Sequence, residues 1–224
     1  MYEMMLDTAN LEELAAGLVA WPICGVTSNP TILKKEGKID IYEHLAKIKT
    51  LCGPKRSLHV QVISEDTESI IKEAHDILDR VGRDTYIKIP VSAGGLPAIK
   101  ALAAEGVNIT ATAIYSTMQG ILAVLSGASY VAVYYNRMEN NCTEPSQVIR
   151  EIRHFIDGCG SNAKILAASF KNVAQVTSAY AAGAHSSTVG CNVIKSALGM
   201  ASIDGAVHDF KKDFEDVWGE GHTL

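Results

Sequence analysis

The sequence lacks the local motifs that identify many cofactor-binding and metal-binding proteins. It contains no G-x-G-x-x-G, no G-x-x-x-x-G-K-[ST], no C-x-x-C and no H-E-x-x-H. These absences argue against a dinucleotide-binding fingerprint, a P-loop and a local zinc motif. The five cysteines are scattered and odd in number. That distribution predicts reduced thiols and a cytoplasmic location rather than a disulfide framework.

Charge and hydropathy exclude further classes of protein. The chain has a net charge of −5 and no basic cluster, so we expect neither a nucleic-acid partner nor an anionic membrane surface. Its longest apolar stretch, residues 121–135, is interrupted by serine and glycine, which predicts a helix end, a turn and a strand rather than a membrane span. The N-terminus lacks the basic region of a signal peptide. With 224 residues, 47% of them hydrophobic, residues 1–224 are expected to form a single domain.

Short apolar runs alternate with longer amphipathic segments along the whole chain. Eight runs are predicted as strands: Tyr2–Asp7, Cys24–Ser28, Ser57–Ile63, Thr85–Pro90, Val107–Ile114, Tyr130–Tyr135, Lys164–Ser169 and Ser186–Gly190. The alternation is typical of a parallel α/β fold. Eight such units in a chain of this length favour a TIM (β/α)8 barrel, with a doubly wound sheet as the alternative.

Helix boundaries carry their own signals. Asn10 with Glu13 predicts a cap for the first helix, and Gly82 predicts the end of the helix before the fourth strand. An extra amphipathic helix is predicted at the C-terminus, from Asp204 to Trp218 within about residues 205–224. One of its faces carries Val207, Phe210, Phe214 and Trp218. This face is expected either to close the barrel's own surface or to pack on a neighbouring subunit.

A single lysine interrupts the fourth predicted strand. Lys88 is the only charged residue in the β-forming run from Thr85 to Val91. A buried lysine must extend its amine to solvent, pair with an acid, or take part in chemistry. Burial lowers the pKa of the amine, and a neutral amine attacks ketones and aldehydes to form a Schiff base. These residues alone leave a catalytic lysine and a structural, ion-paired lysine equally open.

The C-terminal strand ends, where barrel enzymes have their active sites, are polar in this sequence. The residues are Asp7, Thr8, Thr27, Ser28, Asn29, Gln61, Lys88, Thr110, Thr112, Tyr134, Asn136, Arg137, Ser169 and Lys171. One lysine, one acid and a ring of hydroxyl and amide groups is the composition expected of a pocket for a carbonyl-containing sugar. The cations after strands six and seven are placed where such barrels commonly bind phosphate.

Five segments, taken in order, resemble the small transaldolase family over essentially the whole chain. They are Leu6-Asp7-Thr8, Gly25-Val26-Thr27-Ser28-Asn29-Pro30, Ile87-Lys88-Ile89-Pro90-Val91, Tyr134-Tyr135-Asn136-Arg137 and Leu166-Ala167-Ala168-Ser169-Phe170-Lys171. Where true transaldolases have a glutamate and a phenylalanine, this chain has Gln61 and Tyr134. Both residues favour the fructose-6-phosphate aldolase branch. The resemblance also implies a TIM barrel and a homo-oligomer, a pentamer or a decamer.

The resemblance implies a mechanism and a role for each site residue. The amine would form a Schiff base with C2 of fructose 6-phosphate, the acid would deprotonate the C4 hydroxyl, and the C3–C4 bond would break. Glyceraldehyde 3-phosphate would leave, and the remaining enamine would be protonated and hydrolysed to dihydroxyacetone. The catalytic residues would be Lys88, Asp7, Gln61, Tyr134 and Thr112, and the substrate-binding residues Thr27, Asn29, Arg137, Ser169 and Lys171. Because the lysine itself provides the electron sink, no metal or organic cofactor is expected.

Other interpretations remain open at this point. The chain could be a transaldolase that transfers a dihydroxyacetone unit between sugar phosphates, or a catalytically silent barrel that binds them. Asp7 could simply cap the first helix, and Arg137 could form a surface ion pair with Glu139. Thr110 departs from the family pattern, which leaves the donor preference open. His59 departs from it as well, and could either line the pocket or pack in the core.

Overall fold

The computed structural model describes residues 2–224, and its strands form a closed parallel barrel in the order β1 to β8. The strands are β1 Glu3–Asp7, β2 Gly25–Thr27, β3 Ser57–Gln61, β4 Tyr86–Pro90, β5 Ile109–Ile114, β6 Tyr130–Tyr134, β7 Lys164–Ala168 and β8 Ser186–Val189. The first strand pairs with both the second and the eighth, which closes the cylinder. The predicted TIM barrel is therefore confirmed, and the doubly wound alternative is wrong.

Helices connect the strands around the outside of the barrel. The α-helices are α1 Leu11–Ala20, α2 Pro30–Leu33, α3 Ile41–Cys52, α4 Thr67–Val81, α5 Gly95–Ala104, α6 Thr117–Leu125, α7 Tyr135–Asn140, α8 Pro145–Cys159, α9 Val173–Ala181, α10 Cys191–Leu198 and α11 Ala201–Trp218. No helix within residues 2–224 is both long enough and apolar enough to cross a membrane.

Local signals fix the helix ends as the sequence predicts. The Asn10 side chain accepts a hydrogen bond from the Glu13 backbone at 3.0 Å and so caps α1. Gly82 ends α4 with a φ of 146°, a backbone conformation that residues with a Cβ rarely adopt. The apolar stretch 121–135 divides into the end of α6, a turn and β6. Each of these boundaries was accessible from the sequence because its cause is local.

The core has two apolar layers, one between the strands and the helices and one inside the barrel. Between strands and helices lies a continuous apolar shell that includes Val26, Ile87 and Ile89. Inside the barrel a second cluster includes Met5 and Leu166. Strands covered on both faces read as apolar runs, which is why the eight strands were visible in the sequence.

All eight predicted strands extend one or two residues beyond the observed ones. The sixth strand ends at Tyr134, and Tyr135 begins α7 instead of continuing the strand. The Tyr135 ring packs against Phe170 and its hydroxyl bonds Ser146 at 2.8 Å, so it is buried outside the barrel. The apolar pattern in the sequence reflects burial, not strand pairing. Tyr135 is buried although it lies beyond the last residue of β6, so the pattern continues past the end of the strand.

The C-terminal helix begins earlier than predicted and leaves its apolar face uncovered. It starts at Ala201 and none of its residues is buried; Phe210 is 72% exposed and Trp218 57% exposed. The interpretation in which this face closes the barrel's own surface is therefore wrong. Packing on a neighbouring subunit stays a prediction.

Candidate active site

Lys88 lies inside the barrel and is the central residue of β4. It is only 3% exposed, and its register neighbours are Gln61 on β3 and Thr110 on β5. Its amine donates a hydrogen bond to the carbonyl oxygen of Ser28 at 3.1 Å. Burial lowers the pKa of the amine, although the charge of Asp7 opposes this shift. Within residues 2–224 the amine forms no salt bridge, which disfavours a structural ion pair.

Asp7 is the last residue of β1. Its Oδ1 accepts a hydrogen bond from the Thr27 hydroxyl at 2.7 Å. Burial raises the pKa of the carboxyl group, while the nearby Lys88 charge and the Thr27 hydrogen bond lower it. Because Asn10 caps α1, Asp7 is not needed as a helix cap. The carboxylate therefore remains available to accept a proton near the amine.

A bulge in β5 brings Thr112 to Tyr134. The β5–β6 register shifts between Ala111 and Ile114, and Ala113 has a φ of 57°. The Thr112 hydroxyl donates to the Tyr134 hydroxyl at 3.0 Å, which leaves the phenol's own hydrogen available for another partner. Burial raises the pKa of Tyr134, so the phenol stays protonated at neutral pH. The sixth strand thus presents a proton donor to the barrel interior.

Gln61 has a side-chain oxygen that is buried and has no hydrogen-bond partner among the described residues. Its register neighbour across β3 and β4 is Lys88. A buried acceptor without a partner is costly, and a water or a substrate hydroxyl removes that cost. The amide can orient such a group by hydrogen bonding, but it cannot act as a general base.

Arg137 lies on α7 at the mouth of the barrel. Its Nη1 donates to the Tyr115 hydroxyl at 3.1 Å, and its guanidinium lies over the Tyr134 ring at 4.8 Å. Glu139 accepts a hydrogen bond from Gln175 instead of pairing with this arginine. The alternative surface ion pair is therefore not formed. The guanidinium remains exposed, with donors available for an anion.

The loop after β7 contains the other two predicted phosphate ligands. Ser169 has a φ of 65°, an uncommon conformation for a residue other than glycine. Its carbonyl oxygen accepts from the Asn136 backbone at 3.1 Å, which ties this loop to the start of α7 beside Arg137. Lys171 is exposed, and its amine forms no polar contact within residues 2–224.

The two predicted ligands for sugar hydroxyls differ in their accessibility. The Asn29 oxygen accepts from the Ile32 backbone at 3.0 Å and caps α2, which leaves its amide hydrogens for a ligand. Thr27 is fully buried and its hydroxyl is bonded to Asp7. Thr27 thus supports the carboxylate in this structure, and its contact with a sugar stays a prediction.

His59 is packed in the barrel interior. Its Nδ1 bonds the Thr110 hydroxyl at 2.8 Å, its Nε2 bonds the Ser57 hydroxyl at 2.9 Å, and its ring stacks on Tyr86. Burial holds the pKa of the imidazole well below its usual value, and the charge of Lys88 acts in the same direction. The ring is therefore neutral and forms part of the packing beneath the lysine.

The sequence analysis did not single out Thr188, on β8. Its hydroxyl lies 2.6 Å from the Thr27 hydroxyl, and it is almost fully buried. The two residues are 161 positions apart in the chain, so no local motif indicates the contact. The only indication available was that Thr188 lies on the eighth predicted strand, which in a barrel pairs with the first strand, where Asp7 lies.

Sequence comparison with known proteins relates the chain to one family and to a curated relative. The chain matches the model of a family described as Transaldolase/Fructose-6-phosphate aldolase over residues 4–221, a range that contains every site residue above. It is also 53% identical, over 212 residues, to a protein of Streptococcus pneumoniae described as a probable fructose-6-phosphate aldolase. That alignment covers 95% of this chain and 96% of the relative.

Proposed function

We propose that this chain, which belongs to the transaldolase/fructose-6-phosphate aldolase family, is a Schiff-base aldolase. It reversibly cleaves fructose 6-phosphate to dihydroxyacetone and glyceraldehyde 3-phosphate. The observation that carries the proposal is the buried amine of Lys88. Its pKa is lowered by burial, the charge of Asp7 acts on it, and it forms no salt bridge within residues 2–224.

The reaction begins with the neutral amine. Burial lowers the pKa of the Lys88 amine and so favours the neutral form, whose lone pair attacks the C2 ketone. Loss of water from the carbinolamine gives an iminium, in which the nitrogen carries the positive charge. This cation provides the electron sink for breaking the adjacent C3–C4 bond.

Asp7 acts as the base for bond cleavage. Its Oδ1 is held by Thr27, which leaves Oδ2 to accept the proton of the C4 hydroxyl. As that proton leaves, the C4 oxygen forms a carbonyl and the electrons of the C3–C4 bond move to the iminium. Glyceraldehyde 3-phosphate departs, and an enamine of dihydroxyacetone remains on the lysine.

Release of dihydroxyacetone requires a proton at C3 and then water at C2. Tyr134 retains its hydrogen because Thr112 donates to it, so the phenol can donate towards the enamine or a water molecule. The unpartnered oxygen of Gln61 offers that water an acceptor. Both groups favour hydrolysis over transfer, which supports the aldolase assignment within a family whose description includes both reactions.

The substrate extends from the lysine towards the mouth of the barrel. Arg137 and Ser169 bind the phosphate, with help from Lys171. The backbone hydrogen bond from Asn136 to Ser169 holds the loop after β7 next to the exposed guanidinium, so both groups can reach the same anion. Asn29 binds sugar hydroxyls through its amide hydrogens. We also propose that Thr27 contacts the sugar. Because Thr27 is fully buried and its hydroxyl bonds Asp7, this contact requires the side chains around it to move.

The chain also assembles as a homo-oligomer, a pentamer or a decamer, in this proposal. The exposed apolar face of α11, which includes Val207, Phe210 and Trp218, supports it, since such faces mark interaction surfaces. Light scattering of the purified protein tests it, and a monomer at micromolar concentration would contradict it. The cytoplasmic location likewise stays a prediction from the scattered cysteines.

The decisive assay is release of glyceraldehyde 3-phosphate from fructose 6-phosphate without an acceptor aldehyde. We expect steady release, because the enamine is hydrolysed after each turnover. Turnover only after addition of erythrose 4-phosphate would make the chain a transaldolase. No turnover in either assay would favour another donor sugar or the silent sugar-phosphate-binding barrel.

A further inference from the structure

Three side chains from three different strands form a continuous chain of hydrogen bonds. The Thr188 hydroxyl on β8 lies 2.6 Å from the Thr27 hydroxyl on β2, and Thr27 in turn bonds Asp7 Oδ1 on β1 at 2.7 Å. Both threonines are buried and shielded from solvent. In the barrel, β1 lies between β2 and β8, so the chain crosses the interior around the end of the first strand.

The direction of these bonds follows from counting hydrogens. A hydroxyl has one hydrogen to donate, and an ionised carboxylate can only accept. When Asp7 is ionised, Thr27 must therefore donate its hydrogen to the carboxylate. The short contact between the two hydroxyls then requires Thr188 to donate to Thr27. Thr188 forms no other side-chain hydrogen bond within residues 2–224, so its hydrogen is available for this bond.

We propose that Thr188 is a positioning residue that acts through Thr27 to orient Asp7 and to favour its carboxylate form. This inference rests on the proposed role of Asp7 as the base. A donor on the far side of Thr27 polarises the Thr27 hydroxyl and strengthens its bond to the carboxylate, because bonds in such chains reinforce one another. It also prevents Thr27 from rotating its hydrogen away. The result is that Oδ1 stays occupied and Oδ2 faces the substrate hydroxyl.

Several charged groups act on Asp7 besides this chain. Lys88 on β4, Lys35 on the 3-10 turn after α2, and Arg137 on α7 all stabilise the carboxylate, whereas burial opposes it. Burial raises the pKa of the Tyr134 phenol on β6, and the charge of Asp7 acts in the same direction, so the phenol stays protonated. Thr188 forms no hydrogen bond with Asp7 itself; its one side-chain hydrogen bond within residues 2–224 goes to Thr27, which bonds Asp7. Its effect on the ionisation of Asp7 is therefore modest, and it acts on no other acid.

The test replaces Thr188 with valine, which has the same shape but no hydroxyl. The carboxyl 13C chemical shift of Asp7, assigned by its loss in Asp7→Asn, is followed through a pH titration of the full chain. We expect the midpoint for Asp7 to move up by about 0.5 pH unit, equivalent to a roughly threefold loss of carboxylate below the midpoint. The acid limb of kcat/KM for fructose 6-phosphate should move the same way.

Two control variants separate this role from a structural one. Thr188→Ser keeps the hydroxyl and should restore the parental midpoint. Thr85→Val also removes a fully buried threonine hydroxyl, but that hydroxyl has no hydrogen-bond partner among the described residues, so the Asp7 midpoint should not change. If Thr188→Val folds poorly, Thr188→Ala removes the same hydroxyl without risk of a clash, and the Asp7 midpoint is measured in that variant instead.

The outcomes distinguish this inference from the proposed function. An unchanged Asp7 midpoint in both Thr188→Val and Thr188→Ala would overturn the positioning role, even if the protein is an active aldolase. A shifted midpoint that Thr188→Ser reverses would support it, because the titration does not depend on turnover. If the parent protein does not cleave fructose 6-phosphate, the proposed function fails, and the titration still decides whether Thr188 acts on Asp7.

Discussion

Replacing Tyr134 with phenylalanine should change the fate of the Schiff-base intermediate more than its formation. The substitution removes a phenol that accepts from Thr112 and retains its own hydrogen for donation. In the proposed mechanism, cleavage of the C3–C4 bond depends on Lys88 and Asp7, which the substitution leaves in place. Protonation and hydrolysis of the enamine would then lack the proposed phenol donor, so the intermediate should persist until an acceptor aldehyde arrives.

The size of the effect follows from the loss of the proton donor and of the hydrogen bond that it accepts from Thr112. A positioned proton donor contributes about 10²–10⁴-fold to a rate. Because Gln61 can still orient a water, we expect the low end, a fall of about 10²-fold in acceptor-free release. The buried Thr112 hydroxyl also loses its acceptor, which should lower the free energy of unfolding by about 1–3 kcal/mol.

The assay measures the ratio of two products from one reaction. Fructose 6-phosphate and erythrose 4-phosphate are supplied together, and dihydroxyacetone is quantified beside sedoheptulose 7-phosphate. We expect Tyr134→Phe to shift the ratio towards sedoheptulose 7-phosphate. Tyr135→Phe is the matched control, since that hydroxyl bonds Ser146 outside the barrel and should not affect the ratio. An unchanged ratio in a folded Tyr134→Phe protein would refute the role given to the phenol.

Three further predictions concern the charged groups of the site. Lys88→Met should abolish cleavage while the melting temperature stays level or rises, because an apolar side chain of similar length replaces a buried amine; residual turnover would contradict the Schiff base. Arg137→Gln should raise KM for fructose 6-phosphate but not for an unphosphorylated ketose such as fructose, as initial rates can establish. Burial raises the pKa of Asp7, so the folded state binds a proton more tightly than the unfolded state, and that stabilisation is lost as pH rises through the folded pKa. Asp7→Asn should therefore gain in melting temperature relative to the parent as pH rises, and a constant difference would count against the raised pKa.

The sequence predicted the features that depend on local pattern or burial. The apolar run around Lys88 predicted a buried strand, and the structure places the amine inside the barrel with 3% exposure. Gly82 and the Asn10 cap fixed helix ends because each acts over a few residues. Alternation predicted a parallel α/β fold, and the count of eight strands favoured a closed barrel over a doubly wound sheet, which the structure confirms.

Features set by contacts between distant segments could not be predicted in this way. The β5 bulge that brings Thr112 to Tyr134 depends on how two strands align after folding. The contact of Thr188 with Thr27 depends on closure of the barrel. The left-handed conformation of Ser169 also has no sequence signal, because serine seldom adopts it without constraint from its surroundings.

The central claim is a covalent bond between Lys88 and the sugar, and trapping that bond tests it most directly. The protein is incubated with fructose 6-phosphate, reduced with sodium borohydride, digested and analysed by mass spectrometry. We expect a reduced dihydroxyacetone adduct on the peptide that contains Lys88, and none in Lys88→Met. No adduct under conditions of active turnover, or an adduct on a different lysine, would contradict the account.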